Sequence, residues 1–237
     1  MAQYSVHRIS GYLFTIVVHI SNIISMANGL RPVENLPELK TFAKLQPRYF
    51  TCWNIGLQVI YSFIALLCEV LILKNSKNKR YKLNKHLKAL RDILFSGIIW
   101  PCTLVVFSIF WSLFFLDRDL IFPKFADKAL TPVSNHVIHT LIVPIVLWEV
   151  AFRPRIPPKS HKRNIGHLLL HLAVYLCVLA YTYMEHGIWI YPILTKLYGT
   201  VYFPIALLFI VTISILYYYL QWVVSSFMWG GDSKKTS

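Results

Sequence analysis

Six apolar stretches, at residues 10–27, 51–73, 93–116, 135–152, 166–185 and 199–222, dominate this chain. A hydrocarbon core of about 30 Å takes roughly 20 residues of helix to cross, and backbone amides inside it must be satisfied within the segment. The pattern predicts an all-α, polytopic integral membrane protein. Six transmembrane helices form a bundle, with 1–237 as a single domain joined by short polar loops. Composition agrees: 14% of the residues are charged and 56% hydrophobic, where a soluble domain is about a quarter charged. The second, third and sixth stretches are nearly free of charge. The fourth carries His136, His139 and Glu149, and the fifth His167 and His171. The first has His7 and Arg8 before it and ends in Ser25-Met26-Ala27, so it resembles a cleaved leader. It is long for one, however, and is interrupted by His19, Ser21 and Asn22, so a retained helix is expected. Gly187-Ile-Trp-Ile-Tyr-Pro192 is too short to cross, and its Trp189 and Tyr191 suit an interfacial belt.

A net charge of +14 would suggest nucleic acid in a soluble protein. Here the distribution decides. The N-terminus, the loop around 74–91, the loop around 153–163 and the C-terminal tail share 16 Lys and Arg, and the alternate loops share 8. The positive-inside rule then places both termini in the cytosol and the basic loops against anionic lipid headgroups. Membrane lipids are the expected partners and nucleic acid is not. The plasma membrane and an endomembrane fit equally, and oligomeric state has no signal in the sequence.

Cys52, Cys68, Cys102 and Cys177 all fall within spans and lack metal-ligand spacing, so they are expected to pack. Pro101, Pro144 and Pro204 lie in apolar stretches, where each removes a backbone donor. Glu69 and Glu149, near the cytosolic ends of their helices, are expected to pair with Lys74 and Arg153. His136/His139 and His167/His171 have spacings that suit a metal on one helix face. The topology, however, separates the two pairs by roughly a membrane thickness, so no metal is expected.

Topology also puts Thr51 and His139 at similar depth, just inside the outer interface. A hydroxyl within reach of a neutral imidazole is the minimum for an activated nucleophile. Asn54, three residues after Thr51, and Asn135, four before His139, share faces with them and are candidates to orient the imidazole or donate to an oxyanion. A capping threonine and a locally bonded histidine would give the same pattern. The residues alone leave that choice open, together with a non-catalytic binding or regulatory protein and a small transporter.

Several motifs run in order along the chain: Arg48-Tyr-Phe-Thr51, Leu90-Arg-Asp-Ile-Leu-Phe95, Asp117-Arg-Asp-Leu-Ile-Phe-Pro-Lys124, Asn135-His-Val-Ile-His-Thr140, Gly187–Pro192 and Trp229-Gly-Gly-Asp232. In these the sequence resembles the six-span family of the androgen-induced protein and the androgen-dependent TFPI-regulating protein. Phe122 stands where that family has tyrosine, and the region before Thr51 diverges. The resemblance implies a hydrolase of fatty acid esters of hydroxy fatty acids, with Thr51 as nucleophile, His139 as base and His136 as a neighbour. It implies no metal and no organic cofactor. Arg118 and Lys124, on the same side as Thr51, are candidates to attract the substrate carboxylate, with Asp117 and Asp119 as competing partners in the same loop.

Overall fold

The computed structural model describes residues 4–30, 37–78 and 80–230. Arg31, Lys79, Lys234, Lys235 and the end of the Trp229–Asp232 motif lie outside the described residues. Among the described residues six helical spans are long and apolar enough to cross a membrane, and there is no strand. The spans are α1 (Ser5–Leu30), α3 (Phe50–Lys74), a compound third span, a broken fourth span, α8 (Lys162–His186) and α10 (Tyr202–Trp229). Short helices α2 (Pro37–Leu45) and α9 (Pro192–Leu197) lie in the first and fifth connections. The protein is therefore an all-α, multi-pass integral membrane protein.

The third and fourth spans differ from the uninterrupted helices expected, and proline accounts for both. The third runs as α4 (Lys85–Ile93), a π-helical turn (Leu94–Ile99) and α5 (Trp100–Asp117). Pro101 cannot donate to the carbonyl four residues earlier, and the widened turn just before it absorbs the mismatch. Gly97 in that turn lets α8 come close: a Cβ there would sit 3.2 Å from the Asn164 carbonyl. The fourth span is split into α6 (Pro132–His139) and α7 (Ile142–Phe152). The ring of Pro144 excludes the carbonyl of Thr140 from a helical position, so α6 ends at His139. The Thr140 and Leu141 amides both close on the His136 carbonyl, at 2.8 and 2.9 Å. Pro204 lies in the first turn of α10, where no donor is needed.

Several polar residues of α1, Arg8, Thr15 and His19 among them, face inward. His19 Nε2 bonds Gln58 Oε1 at 2.9 Å, Tyr12 donates to Glu149 at 2.6 Å, and Arg8 donates to Glu69 at 2.9 Å. Of the residues that interrupt the first stretch, His19 docks it, together with Arg8 and Tyr12, and loss of the helix would strip Glu69 and Gln58 of these partners.

Glu69 and Glu149 are both buried; the expected Glu149–Arg153 pair forms, while the expected Glu69–Lys74 pair does not. Glu69 accepts from Arg8 and Arg153, with no part played by Lys74. Glu149 accepts from Arg153, Arg155, Tyr12 and Tyr61. Burial alone would depress the Arg153 guanidinium, but the Glu149 carboxylate holds it well above its ordinary value. In an apolar medium a buried carboxylate needs several donors at once, more than one snorkelling lysine supplies. The network ties α1, α3, α7 and the 153–155 segment together at one end of the bundle. Glu69 is 18 residues along α3 from Thr51, or about 27 Å.

Candidate active site

Thr51 is the second residue of α3. Tyr49 is extended (ψ 137°) and starts the helix, its carbonyl accepting from the Cys52 and Trp53 amides at 3.0 and 3.2 Å. A helix end inside the bundle leaves its first amides to be satisfied by other means. The Phe50 amide is met by Tyr191, whose hydroxyl accepts at 2.9 Å and also bonds the Tyr175 hydroxyl at 2.9 Å. Tyr191 therefore points into the bundle and not, as its aromatic neighbours suggest, into an interfacial belt. Trp189 packs on the other side of that segment, against Tyr183, Tyr198 and Phe203. Gly187, at φ 68°, makes the turn that ends α8 and lets the segment fold back.

His139 is the last residue of α6 and is buried. Its Nδ1 meets Asn135 Oδ1 at 2.8 Å and the Asn135 carbonyl at 3.2 Å. Both partners are acceptors, so Nδ1 carries the proton and Nε2 keeps a free lone pair. That lone pair faces Thr51 Oγ1 at 3.3 Å. Phe110 of α5 fixes the ring plane, stacked 4° from parallel with centroids 3.4 Å apart. Nothing in the sequence singled out Phe110 from the other aromatics of α5.

The remaining candidates are distributed as follows. Asn135 touches the imidazole. Asn54 does not: its Oδ1 accepts from Thr103 Oγ1 at 3.0 Å, at the end of a buried chain through Gln58 to His19. His136 bonds Thr140 and stacks on Trp111. Arg118 donates to Asp127 at 2.7 Å and to the Phe122 carbonyl, so its partner is neither Asp117 nor Asp119. Lys124 is exposed, and neither basic side chain lines the cavity described below. The histidine pairs are closer than the topology suggested, since the His171 ring lies 5.7 Å from those of Phe50 and Trp53. No metal-binding group of three or more ligands occurs among the described residues.

Thr51 lies within the bundle. Phe110, stacked on His139, is seven residues before the Asp117 end of α5, or about 10 Å. Tyr175, packed on Phe50, is ten residues before Glu185, the partner of Arg48. The two rulers agree that α3 begins well inside the bundle. Its start and His139 open into a cavity of about 880 Å³, at the upper end for small-molecule sites. Its wall is apolar except for a few groups, among them Thr51, His139, Tyr49, Tyr175 and Tyr191. Leu169 and Leu176 of α8 and Phe209 of α10 belong both to this wall and to the exposed outer face. The cavity therefore opens sideways between α8 and α10.

Comparison with known proteins gives this arrangement a family. Human androgen-dependent TFPI-regulating protein is 38% identical over 150 residues, and its counterpart in Mesocricetus auratus is 35% identical over 153. Human androgen-induced gene 1 protein is 25% identical over 150 residues. Each match spans 63% of the relative's own length and 62–63% of this chain. No solved structure matches the chain. The family described as FAR-17a/AIG1-like protein matches residues 14–225, which take in most of the first and last spans, all of the four between them, and both Thr51 and His139: the chain belongs to that family.

Proposed function

We propose that the protein is a membrane-embedded hydrolase of lipid esters, cleaving fatty acid esters of hydroxy fatty acids through an acyl-threonine. The observation that carries this reading is the Thr51 Oγ1–His139 Nε2 contact of 3.3 Å, made by the correct imidazole tautomer inside an apolar cavity. The substrate reaches the cavity from the bilayer between α8 and α10. His139 takes the Thr51 proton as Oγ1 attacks the ester carbonyl, and then protonates the departing hydroxy fatty acid oxygen. Water, activated by the same Nε2, attacks the acyl-threonine and releases the fatty acid. Asn135 keeps Nδ1 protonated throughout, the orienting role of the third member of a triad. No step calls for a metal or organic cofactor. We also propose that both termini are cytosolic; glycosylation of a tag inserted at 75–84 would reverse that orientation.

Hydrolysis of a lipid-ester panel in membranes tests the function. Thr51→Ala and His139→Ala are each expected to lower turnover by at least about 10³-fold, as for other nucleophile–base pairs. Unchanged turnover in both would overturn the Thr51–His139 assignment, and a wild type without turnover would leave a binding protein or a transporter, the latter recognised by substrate accumulation in sealed vesicles.

A further inference from the structure

The hydrogen-bond inventory beside Thr51 contains one donor too many. Tyr175 and Tyr191 bring two hydroxyl protons, and one of them lies in the bond between the two oxygens. The Phe50 amide is a donor as well and occupies a lone pair of Tyr191. No other acceptor for either hydroxyl occurs among the described residues, so one O–H is left over. Both rings line the cavity that Thr51 and His139 line. Through the Phe50 amide the pair is anchored one residue before the nucleophile. The Thr51 amide likewise has no acceptor among the described residues, whereas those of Phe50, Cys52 and Trp53 all have one. In a wall this apolar, an unused O–H calls for an acceptor on the ligand.

Resting on the hydrolase reading above, we propose that the Tyr175–Tyr191 hydroxyl pair donates the hydrogen bond that stabilises the oxyanion when Thr51 attacks. As the Thr51 Oγ1–carbon bond forms, the carbonyl π pair moves onto oxygen and the Thr51 proton passes to His139. The oxyanion then accepts from the free tyrosyl O–H, with the Thr51 amide at the positive end of α3 as a second donor. When the tetrahedral species collapses, the pair returns to the carbonyl and the alkoxide leaves with the proton from His139. Burial pushes the Tyr191 phenol up to about 12, which keeps it a protonated donor at neutral pH. Tyr175 and Tyr191 carry no charge and no metal-ligand spacing, so nothing in the sequence places them with Thr51.

The test uses the full chain in liposomes, with a long-chain p-nitrophenyl ester as substrate and an alkyl trifluoromethyl ketone as the tetrahedral mimic. Removing one oxyanion donor costs about 10²–10³ in kcat. The Tyr175→Phe/Tyr191→Phe double variant is expected to fall in that range, with KM within threefold of wild type. Affinity for the ketone should fall in parallel, and the melting temperature should hold. Should the variants fail to fold, the carbonyl stretch of the wild-type acyl-enzyme reads the same contact. It should lie at lower frequency than the same ester in hydrocarbon solvent. An unchanged kcat, a change confined to KM, or an unshifted carbonyl stretch overturns the proposal. A wild type without turnover, or a Thr51→Ala variant that retains it, overturns the hydrolase reading instead.

Discussion

At the scale of single residues, the proposed chemistry depends on which nitrogen of His139 carries the proton. Two acceptors, both from Asn135, hold it on Nδ1. Asn135→Ala removes the side-chain acceptor and leaves the backbone one, so the tautomer is weakened and not inverted. Turnover is expected to fall about tenfold, less than the 10²–10⁴ of losing a general base outright, with KM unchanged in steady-state assays. Sequence spacing placed Asn54 and Asn135 on equal terms, each sharing a face with one of the pair. Tertiary contact separates them, because the Asn54 side-chain carbonyl oxygen is taken by the Thr103 hydroxyl. The stacking of Phe110 on His139 was illegible for a similar reason. One phenylalanine among many in α5 becomes special only when α6 is laid against it.

At the scale of elements, the break between α6 and α7 positions His139, the proposed base. Pro144 ends α6 at His139, so the imidazole sits at a helix terminus where its ring can turn toward α3. Pro144→Ala restores the missing donor and lets the helix run through. It is expected to raise the melting temperature or leave it unchanged, while lowering kcat by more than about tenfold as the His139 ring moves off Thr51. Thermal unfolding in detergent and steady-state kinetics check the two halves separately. The spans themselves were legible because an apolar run of about 20 residues has few alternatives. Their interruptions were not, because proline in an apolar run signals a fault without saying whether a π turn (Pro101), a break (Pro144) or a helix start (Pro204) resolves it.

At the scale of the whole molecule, the bundle keeps its two polar sites about 27 Å apart along α3. One end holds the Glu69–Glu149–arginine network, which clamps α1, α3 and α7. The Thr51–His139 pair opens on the cavity nearer the other. Glu149→Ala leaves Arg153 and Arg155 buried without their shared carboxylate, a loss of about 3–5 kcal/mol. Chemical denaturation should show that loss, with activity per folded molecule little changed. The sequence marked Glu149 as costly in a span and offered Arg153 as its partner, but not Arg155, Tyr12 and Tyr61, two of which come from α1 and α3. The charge asymmetry of the loops carries a proposed orientation and no chemistry. The proposed chemistry rests on Thr51, and covalent capture tests it most directly. Brief exposure of the full chain to a slowly deacylating p-nitrophenyl ester, followed by acid quench and peptide mass spectrometry, should find the acyl mass on the peptide containing Thr51. His139→Ala should abolish it. An acyl group on another residue, or turnover with no acyl-Thr51 detected under conditions that trap other acyl-enzymes, would contradict the mechanism.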